Sequence, residues 1–177
     1  IFKFYNTFAE EPAPDQVPSS SQVLDRWIIA LTNKLIREVT GFMENYDLPR
    51  AARSLTSFVD DLSTWYIRRS RERFKSENSQ EREEAIRVTG YVLYQLSRLM
   101  APFMPFLAEE LWQRLTGYNY QDGHSVHLEG WPEPSGEPEE ELLEKMREVR
   151  SLVEAGLAKR DEHGIKVRQP LSKMKVR

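Results

Sequence analysis

The sequence predicts a mainly α-helical fold, a bundle of four to five helices with a small β element toward the C-terminus. Apolar residues recur at helical spacing along three long segments. Short polar turns separate these segments, and proline and glycine mark their ends. Residues 125–128 alternate apolar and polar side chains instead, which predicts a brief strand.

Residues 1–20 are predicted to be the end of a helix followed by a proline-rich linker. Apolar residues within 1–8 fit the last turns of a helix that begins upstream. Three prolines within 11–20 exclude a helix there, because proline removes a backbone donor and clashes with the preceding turn. The serines at 19–21 supply N-caps for the helix that follows.

Residues 21–116 are predicted to form the core of the bundle. On a helical wheel, the apolar residues of 22–45 lie within about 60° of one line; they are Leu24, Trp27, Ile28, Leu31, Leu35, Val39 and Phe42. A second helix is expected to begin near Pro49, since proline suits the first helical turn, and to end near residue 75.

A third helix is expected after Asn78, which forms a capping box with Glu81. Residues 101–105 contain two prolines and must break or kink it. Helical spacing resumes at 106, and Gly117 is a natural stop. The apolar stripes of the three long helices predict one shared core, made of Trp27, Leu31, Phe58, Leu62, Leu93 and Leu96.

Residues 117–177 are predicted to continue the same domain with a β-containing loop, a further helix and a C-terminal strand. The strands are expected at 125–128 and 165–168. Pro138 and three following glutamates suit an acidic first turn, and the helix is expected to reach Glu162 with Gly164 as its cap. The domain is expected to continue into further modules.

Composition argues against several classes of protein. The 177 residues include no cysteine, so disulfides and thiolate metal sites are excluded, which suits a reducing cytoplasm. No apolar run approaches the roughly 20 residues that span a bilayer, and no signal-peptide pattern is present. The net charge of −3 disfavours a nucleic-acid partner, but glutamates concentrate in 133–148 and basic residues in 68–75, so a local basic face is predicted.

The sequence offers no catalytic set. No nucleophile elbow, phosphate-binding glycine loop or dinucleotide fingerprint occurs. His124 and His127 are predicted to be surface or packing residues, because residues three apart on a strand face opposite sides. We therefore expect no catalytic residue, no metal site and no cofactor in this chain.

The basic residues at the end of the second helix fall on two sides of the helical wheel. Arg68, Arg71 and Lys75 lie at about 220°, 160° and 200°, opposite the apolar stripe. Arg69 and Arg73 lie at about 320° and 0°, in line with it. The first three predict an outward ladder of positive charge that follows successive phosphates. The other two are expected to reach acidic partners at the edge of the core.

Six segments, in order, resemble the helical tRNA-binding region of class I aminoacyl-tRNA synthetases of the isoleucine, valine and leucine subgroup. They are LDRWI at 24–28, ENYD at 44–47, DDLSTWYIRRSR at 60–71, LMAPFMPFLAEELW at 99–112, SVHL followed by WP within 125–132, and GIKVRQPL at 164–171. The third and the last segments are most similar to the isoleucine-specific enzymes.

The resemblance implies an anticodon-binding domain that holds the stem and loop of isoleucine tRNA for aminoacylation by a catalytic domain absent from this chain. That domain, which would use ATP and isoleucine, is the second expected partner, and no membrane is expected. An anticodon loop presents unstacked bases, while its stem is held through phosphates. The tRNA-binding residues are then Arg68, Arg71, Lys75, Lys166 and Arg168.

Three alternatives remain open from the sequence. The chain could be the equivalent domain of a valine-specific synthetase. It could be a helical protein-interaction module, which the acidic net charge favours and which salt-dependent tRNA binding would exclude. It could also be a self-contained helical enzyme, which would require activity in the isolated chain.

Overall fold

The computed structural model describes residues 1–136, 138–173 and 175, and most of them are helical. The α-helices are α1 (Phe2–Tyr5), α2 (Val23–Glu44), α3 (Leu48–Asp61), α4 (Arg68–Phe74), α5 (Ser79–Met100), α6 (Pro105–Thr116) and α7 (Glu140–Glu162). A π-helical segment, Leu62–Ile67, joins α3 to α4, and 3-10 turns lie at Tyr120–Asp122 and Val126–Leu128. The chain divides into two compact units, Ile1–Pro138 and a second that begins at Glu139.

In the first unit, α5 is the central helix, and it is buried along most of its length from Val88 to Met100. It packs against α2, α4 and α6, and α2 also packs against α3. The predicted shared core is largely confirmed, because Trp27, Phe58, Leu62, Leu93 and Leu96 are all buried. Leu31 is only half-buried and lies at the rim.

The predicted helix ends are mostly correct. The Asp47 carboxylate caps α3 by accepting a hydrogen bond from the Arg50 backbone N–H at 3.2 Å. Asn78 caps α5 by accepting from the backbone N–H of Gln80 and Glu81. The reciprocal half of the capping box is absent, since Glu81 accepts from the Ser76 hydroxyl at 2.9 Å instead.

The predicted continuous helix from 49 to 75 contains a feature that the wheel did not anticipate. In the π-helical segment each turn holds more residues than an α-turn, so the residues after it lag behind a wheel of constant pitch. Buried positions accordingly recur every four residues, at Leu62, Tyr66, Ser70 and Phe74. Arg69 is exposed rather than turned to the core, so that part of the prediction is wrong.

The proline-rich segment lies against the bundle. The Ala13 backbone N–H donates to the Leu115 carbonyl at 2.7 Å. Tyr5 of α1 crosses α5 at Gly90, where an added Cβ would lie 2.6 Å from the Tyr5 hydroxyl oxygen. Burial there raises the pKa of Tyr5 to about 12. The close approach of α1 therefore depends on a glycine in the central helix.

The serines predicted to cap α2 do not do so. The N-cap is Gln22, and its side chain forms no capping bond. The Ser20 hydroxyl instead donates to the Asp25 carboxylate at 2.7 Å. Its oxygen accepts from the Gln22 backbone N–H at 3.2 Å, just before α2 begins, so this hydroxyl links the start of the helix to the buried carboxylate.

Neither predicted strand forms in the described part of the chain. Residues 126–128 form a 3-10 turn, in which the Val126 backbone N–H donates to the Glu109 carboxylate at 3.0 Å. At 165–168 there is a turn, and the Arg160 guanidinium donates to the Lys166 and Gln169 carbonyls at 2.9 Å each. Side chains satisfy the backbone groups that a strand would have paired.

In the second unit α7 ends at Glu162, and Gly164 follows with φ of 62°, as predicted. The assignment of 117–177 to one domain stays a prediction, and positions 137, 174, 176 and 177 lie outside the described residues. None of the described helices has the length and apolar character needed to cross a membrane.

Candidate nucleic-acid interface

A buried carboxylate organises the helix that carries the basic residues. Asp25, in the first turn of α2, is fully buried and accepts four hydrogen bonds. The donors are the Tyr66 hydroxyl at 2.8 Å, Arg73 Nη1 at 2.6 Å, Arg73 Nη2 at 2.8 Å and the Ser20 hydroxyl at 2.7 Å. The fork geometry of arginine matches both carboxylate oxygens. This confirms the prediction that Arg73 reaches a buried acid.

The protonation of these groups fits a buried charged pair. Burial raises the pKa of Tyr66 well above its usual value, and the adjacent Asp25 charge raises it further. The hydrogen bond to Asp25 raises the pKa of Arg73 above its ordinary value, against the effect of burial. Tyr66 therefore stays a neutral donor and Arg73 stays charged, which fixes α4 against α2.

The opposite side of α4 carries exposed positive charge. Arg68, Arg71 and Lys75 are all exposed, as predicted. Their spacing of three and four residues places them on one face of a regular helix, over roughly 10 Å of its length. Within the described residues none of the three forms an ion pair with an acidic side chain. We call these three residues the basic face.

An aromatic cluster lies beside the basic face. The Arg71 guanidinium lies over the Phe4 ring of α1, 5.6 Å from its centroid. Phe4 makes edge contacts with Phe8 and with the buried Phe74, at centroid distances of 5.1 and 5.0 Å. Cation–π contact orients the arginine without neutralising it. The packed N-terminal segment therefore helps to position one cation of the basic face.

Arg69 lies close to the basic face rather than to the core. Its guanidinium stacks 3.7 Å from the centroid of the Trp65 ring, and Nη1 donates to the Thr64 carbonyl at 3.2 Å. Trp65 belongs to the π-helical segment and is half-exposed, so its ring is accessible to the Arg69 side chain. An exposed guanidinium plane is one of the surfaces on which unstacked RNA bases can stack.

The second unit carries the other two predicted binding residues. Lys166 and Arg168 are both exposed, in the turn that follows α7. This turn is held by Arg160, whose guanidinium bonds the Lys166 carbonyl and leaves the lysine side chain outside the contact. Their role in binding stays a prediction.

The two histidines have separate surroundings. The His124 ring stacks on Tyr118 at a centroid distance of 4.4 Å, with 15° between the planes. His127 lies in the 3-10 turn, where its backbone N–H donates to the Ser125 hydroxyl at 3.2 Å. Across the described residues, no group of three or more histidine or acidic side chains is placed to hold a metal ion.

Sequence reasoning missed two of these features. Asp25 lies in the first turn of α2, where an acid ordinarily complements the helix dipole at the surface, so the sequence does not indicate that it is the buried partner of Arg73. The π-helical segment has no sequence signal that we can name, and without it the exposure of Arg69 could not be derived.

Comparison with known proteins agrees with this architecture. A family model described as the anticodon-binding domain of tRNA ligase matches residues 25–175. The isoleucine–tRNA ligase of Streptomyces avermitilis is 44% identical over 165 residues, which are 92% of this chain and 15% of the relative. That of Thermus thermophilus is 40% identical over 179 residues, 97% of this chain and 17% of the relative.

A third relative, the isoleucine–tRNA ligase of Deinococcus radiodurans, is 37% identical over 182 residues, which cover 100% of this chain and 16% of the relative. The chain thus spans about a sixth of the length of the curated relatives it matches. The family model covers most of the chain, from the helix of Asp25 through the basic face and beyond α7. The chain belongs to the family of anticodon-binding domains of tRNA ligases.

Proposed function

We propose that this chain binds the anticodon stem and loop of isoleucine tRNA, as the tRNA-holding part of an isoleucine–tRNA ligase. The family supports tRNA as the partner. The relatives described above are isoleucine–tRNA ligases, which supports isoleucine tRNA over valine tRNA.

The basic face is the observation that carries the proposal. Three exposed cations lie on one side of α4, while Arg73 on the other side is paired with Asp25. Cations without intramolecular ion pairs are available to replace the counterions around phosphates, which is the main source of affinity for a nucleic-acid backbone. Lys166 and Arg168 would add two contacts from the second unit.

In this proposal the aminoacylation reaction takes place in another domain of the full-length protein. ATP and isoleucine would be used by the catalytic domain of the full-length protein, and this chain would supply no reacting group or cofactor. Its contribution would be to hold the tRNA so that the acceptor end reaches that domain, which is the second proposed partner. A cytoplasmic location of the parent protein, expected from the absence of cysteine, stays a prediction.

The test is equilibrium binding of an isoleucine-tRNA transcript to the full-length protein at several salt concentrations. Arg68→Ala, Arg71→Ala and Lys75→Ala should each weaken binding, and each lost phosphate contact should flatten the log–log salt dependence by about 0.7–0.9. Lys34→Ala is the matched control, since Lys34 is an exposed cation on α2 paired with Glu38 at 3.7 Å. Unchanged affinity in all three variants would refute the proposal.

Two comparisons separate the alternatives. Binding of a valine-tRNA transcript as tightly as the isoleucine transcript would favour the valine-specific reading. Absence of tRNA binding by the intact protein would favour a protein-interaction module. Its affinity for a protein partner would lack the salt dependence that phosphate contacts produce.

A further inference from the structure

A second exposed surface lies on α6 and the loop after it. Three aromatic rings follow one another there. Trp112 is buried, and its ring centroid lies 5.7 Å from that of Tyr118. Tyr118 is 52% exposed and stacks on His124, which is also exposed. We call these residues the aromatic column; it begins in the core and ends at the surface.

The loop that carries the column is held at both ends. Gly117 ends α6 with φ of 75°, and the Thr116 hydroxyl accepts from the Tyr118 backbone N–H at 3.2 Å. At the far end the Ser125 hydroxyl donates to the Glu109 carboxylate at 2.7 Å. Burial alone would raise the pKa of Glu109, but hydrogen bonds from Gln113, Ser125 and Val126 outweigh it and lower the pKa. The anchor is therefore ionised at neutral pH, and the rings are positioned before any ligand arrives.

The local charge fits a base rather than a phosphate. Residues 117–125 contain Asp122 and His124 but no lysine or arginine. A flat, exposed ring in a loop without lysine or arginine can stack an unstacked nucleobase, since every base has a π-face and stacking does not need a counter-charge. Unstacked bases are what single-stranded RNA loops present.

The N-terminal segment contacts both a residue of the basic face and the end of α6, which precedes the column. Phe4 of α1 contacts Arg71, and Ala13 bonds Leu115, three residues before Tyr118. We propose that the exposed end of the aromatic column, His124 on Tyr118, stacks an unstacked nucleobase of the bound tRNA. This inference rests on the proposed function and adds a base contact to the phosphate contacts of the basic face.

The experiment uses the full-length protein and isoleucine-tRNA transcripts. His124→Ala should weaken binding by about 5- to 150-fold. His124→Phe keeps a flat ring on Tyr118 and should restore most of the affinity. The slope of the salt dependence should be the same in both variants and the parent, because no phosphate contact is lost. Melting temperatures are measured alongside, to identify a variant that merely unfolds.

Tyr120→Ala is the matched control. Tyr120 is an exposed tyrosine in the same loop, 68% exposed, outside the column. It should leave affinity unchanged; a loss equal to that of His124→Ala would show a general loop effect and overturn the inference.

A direct readout is 2-aminopurine placed in turn at each position of the anticodon loop. Its fluorescence at one position should be quenched by the parent protein and by His124→Phe but not by His124→Ala. Tight tRNA binding with no difference between His124→Ala and the parent would overturn the inference and leave the proposed function standing. Absence of tRNA binding by the parent protein would overturn the proposed function itself.

Discussion

Arg73 and Arg71 lie two residues apart on α4 and meet opposite environments. The Arg73 side chain is 12% exposed and shares two hydrogen bonds with a fully buried carboxylate. Arg71 is exposed, and its guanidinium lies over the face of the Phe4 ring. The same side chain therefore serves as a structural cation on one face and as an available charge on the other.

The difference shows that desolvation, more than sequence neighbourhood, sets the role of a charge. Removing Arg73 leaves Asp25 buried without its main counter-charge. The resulting loss of stability exceeds the net stabilisation that the intact pair provides. Removing Arg71 exposes more of Phe4 to water and costs little in stability. The two faces can thus be separated by measuring stability and tRNA affinity in the same variants.

The largest expected effect is that of Arg73→Ala. It should lower the free energy of unfolding by roughly 3–5 kcal/mol, because it strands a buried charge. The double variant with Asp25→Ala should lose less than the sum of the two single losses, since neither partner is then left alone. Chemical denaturation of all three variants measures this. Additive losses would mean that Arg73 and Asp25 do not act as a pair.

Leu62→Ala tests where the inward face lies in the π-helical segment. Leu62 is completely buried, so the loss should be about 2–5 kcal/mol. Leu31→Ala on α2 is the control, because Leu31 is half-buried and should lose clearly less. A Leu62→Ala loss below about 0.5 kcal/mol, the usual range at the surface, would place the core elsewhere.

Gly90→Ala tests the packing of α1 on α5, which positions Phe4 against Arg71 of the basic face. The new Cβ would meet the Tyr5 hydroxyl at 2.6 Å, so α1, which carries Phe4, must shift or strain. We expect a loss of about 1–3 kcal/mol, as for other overpacked sites. Adding Tyr5→Phe removes the nearest atom and should recover part of the loss. If the double variant is no better than Gly90→Ala alone, the close contact is not the cause.

Much of the bundle follows from the sequence because its signals are local and periodic. The stripe of α2, the cap at Asn78 and the stop at Gly117 each depend on residues within a turn or two. The helical wheel also predicts the exposure of Arg68, Arg71 and Lys75, which the structure shows. The burial of Asp25 depends on Arg73, 48 positions away, so no local pattern determines it.

The two predicted strands fail for a related reason. Alternation of side chains shows only that a segment could pair as a strand. Whether it does depends on what its backbone finds nearby, and at 126 that is the Glu109 carboxylate. At 166 it is the Arg160 guanidinium. Both partners are side chains of helices outside the two segments, so the residues of the segments themselves do not predict these contacts.

The smallest expected effect is that of Arg69→Ala, and it tests the comparison most directly. A helix of constant pitch predicts that Arg69 and Arg73, four residues apart, behave alike. The structure instead pairs Arg73 with the buried Asp25 and stacks Arg69 on the Trp65 ring at the surface, where cation–π contact stabilises by about 0.5–1 kcal/mol. Arg69→Ala should therefore lose several-fold less unfolding free energy than Arg73→Ala. Arg69→Lys should lose still less, since it keeps a cation near the ring. Equal losses for Arg69→Ala and Arg73→Ala in parallel denaturation experiments would show that Arg69 stabilises the fold as much as the buried pair does, and the assignment of the two faces would have to be redrawn.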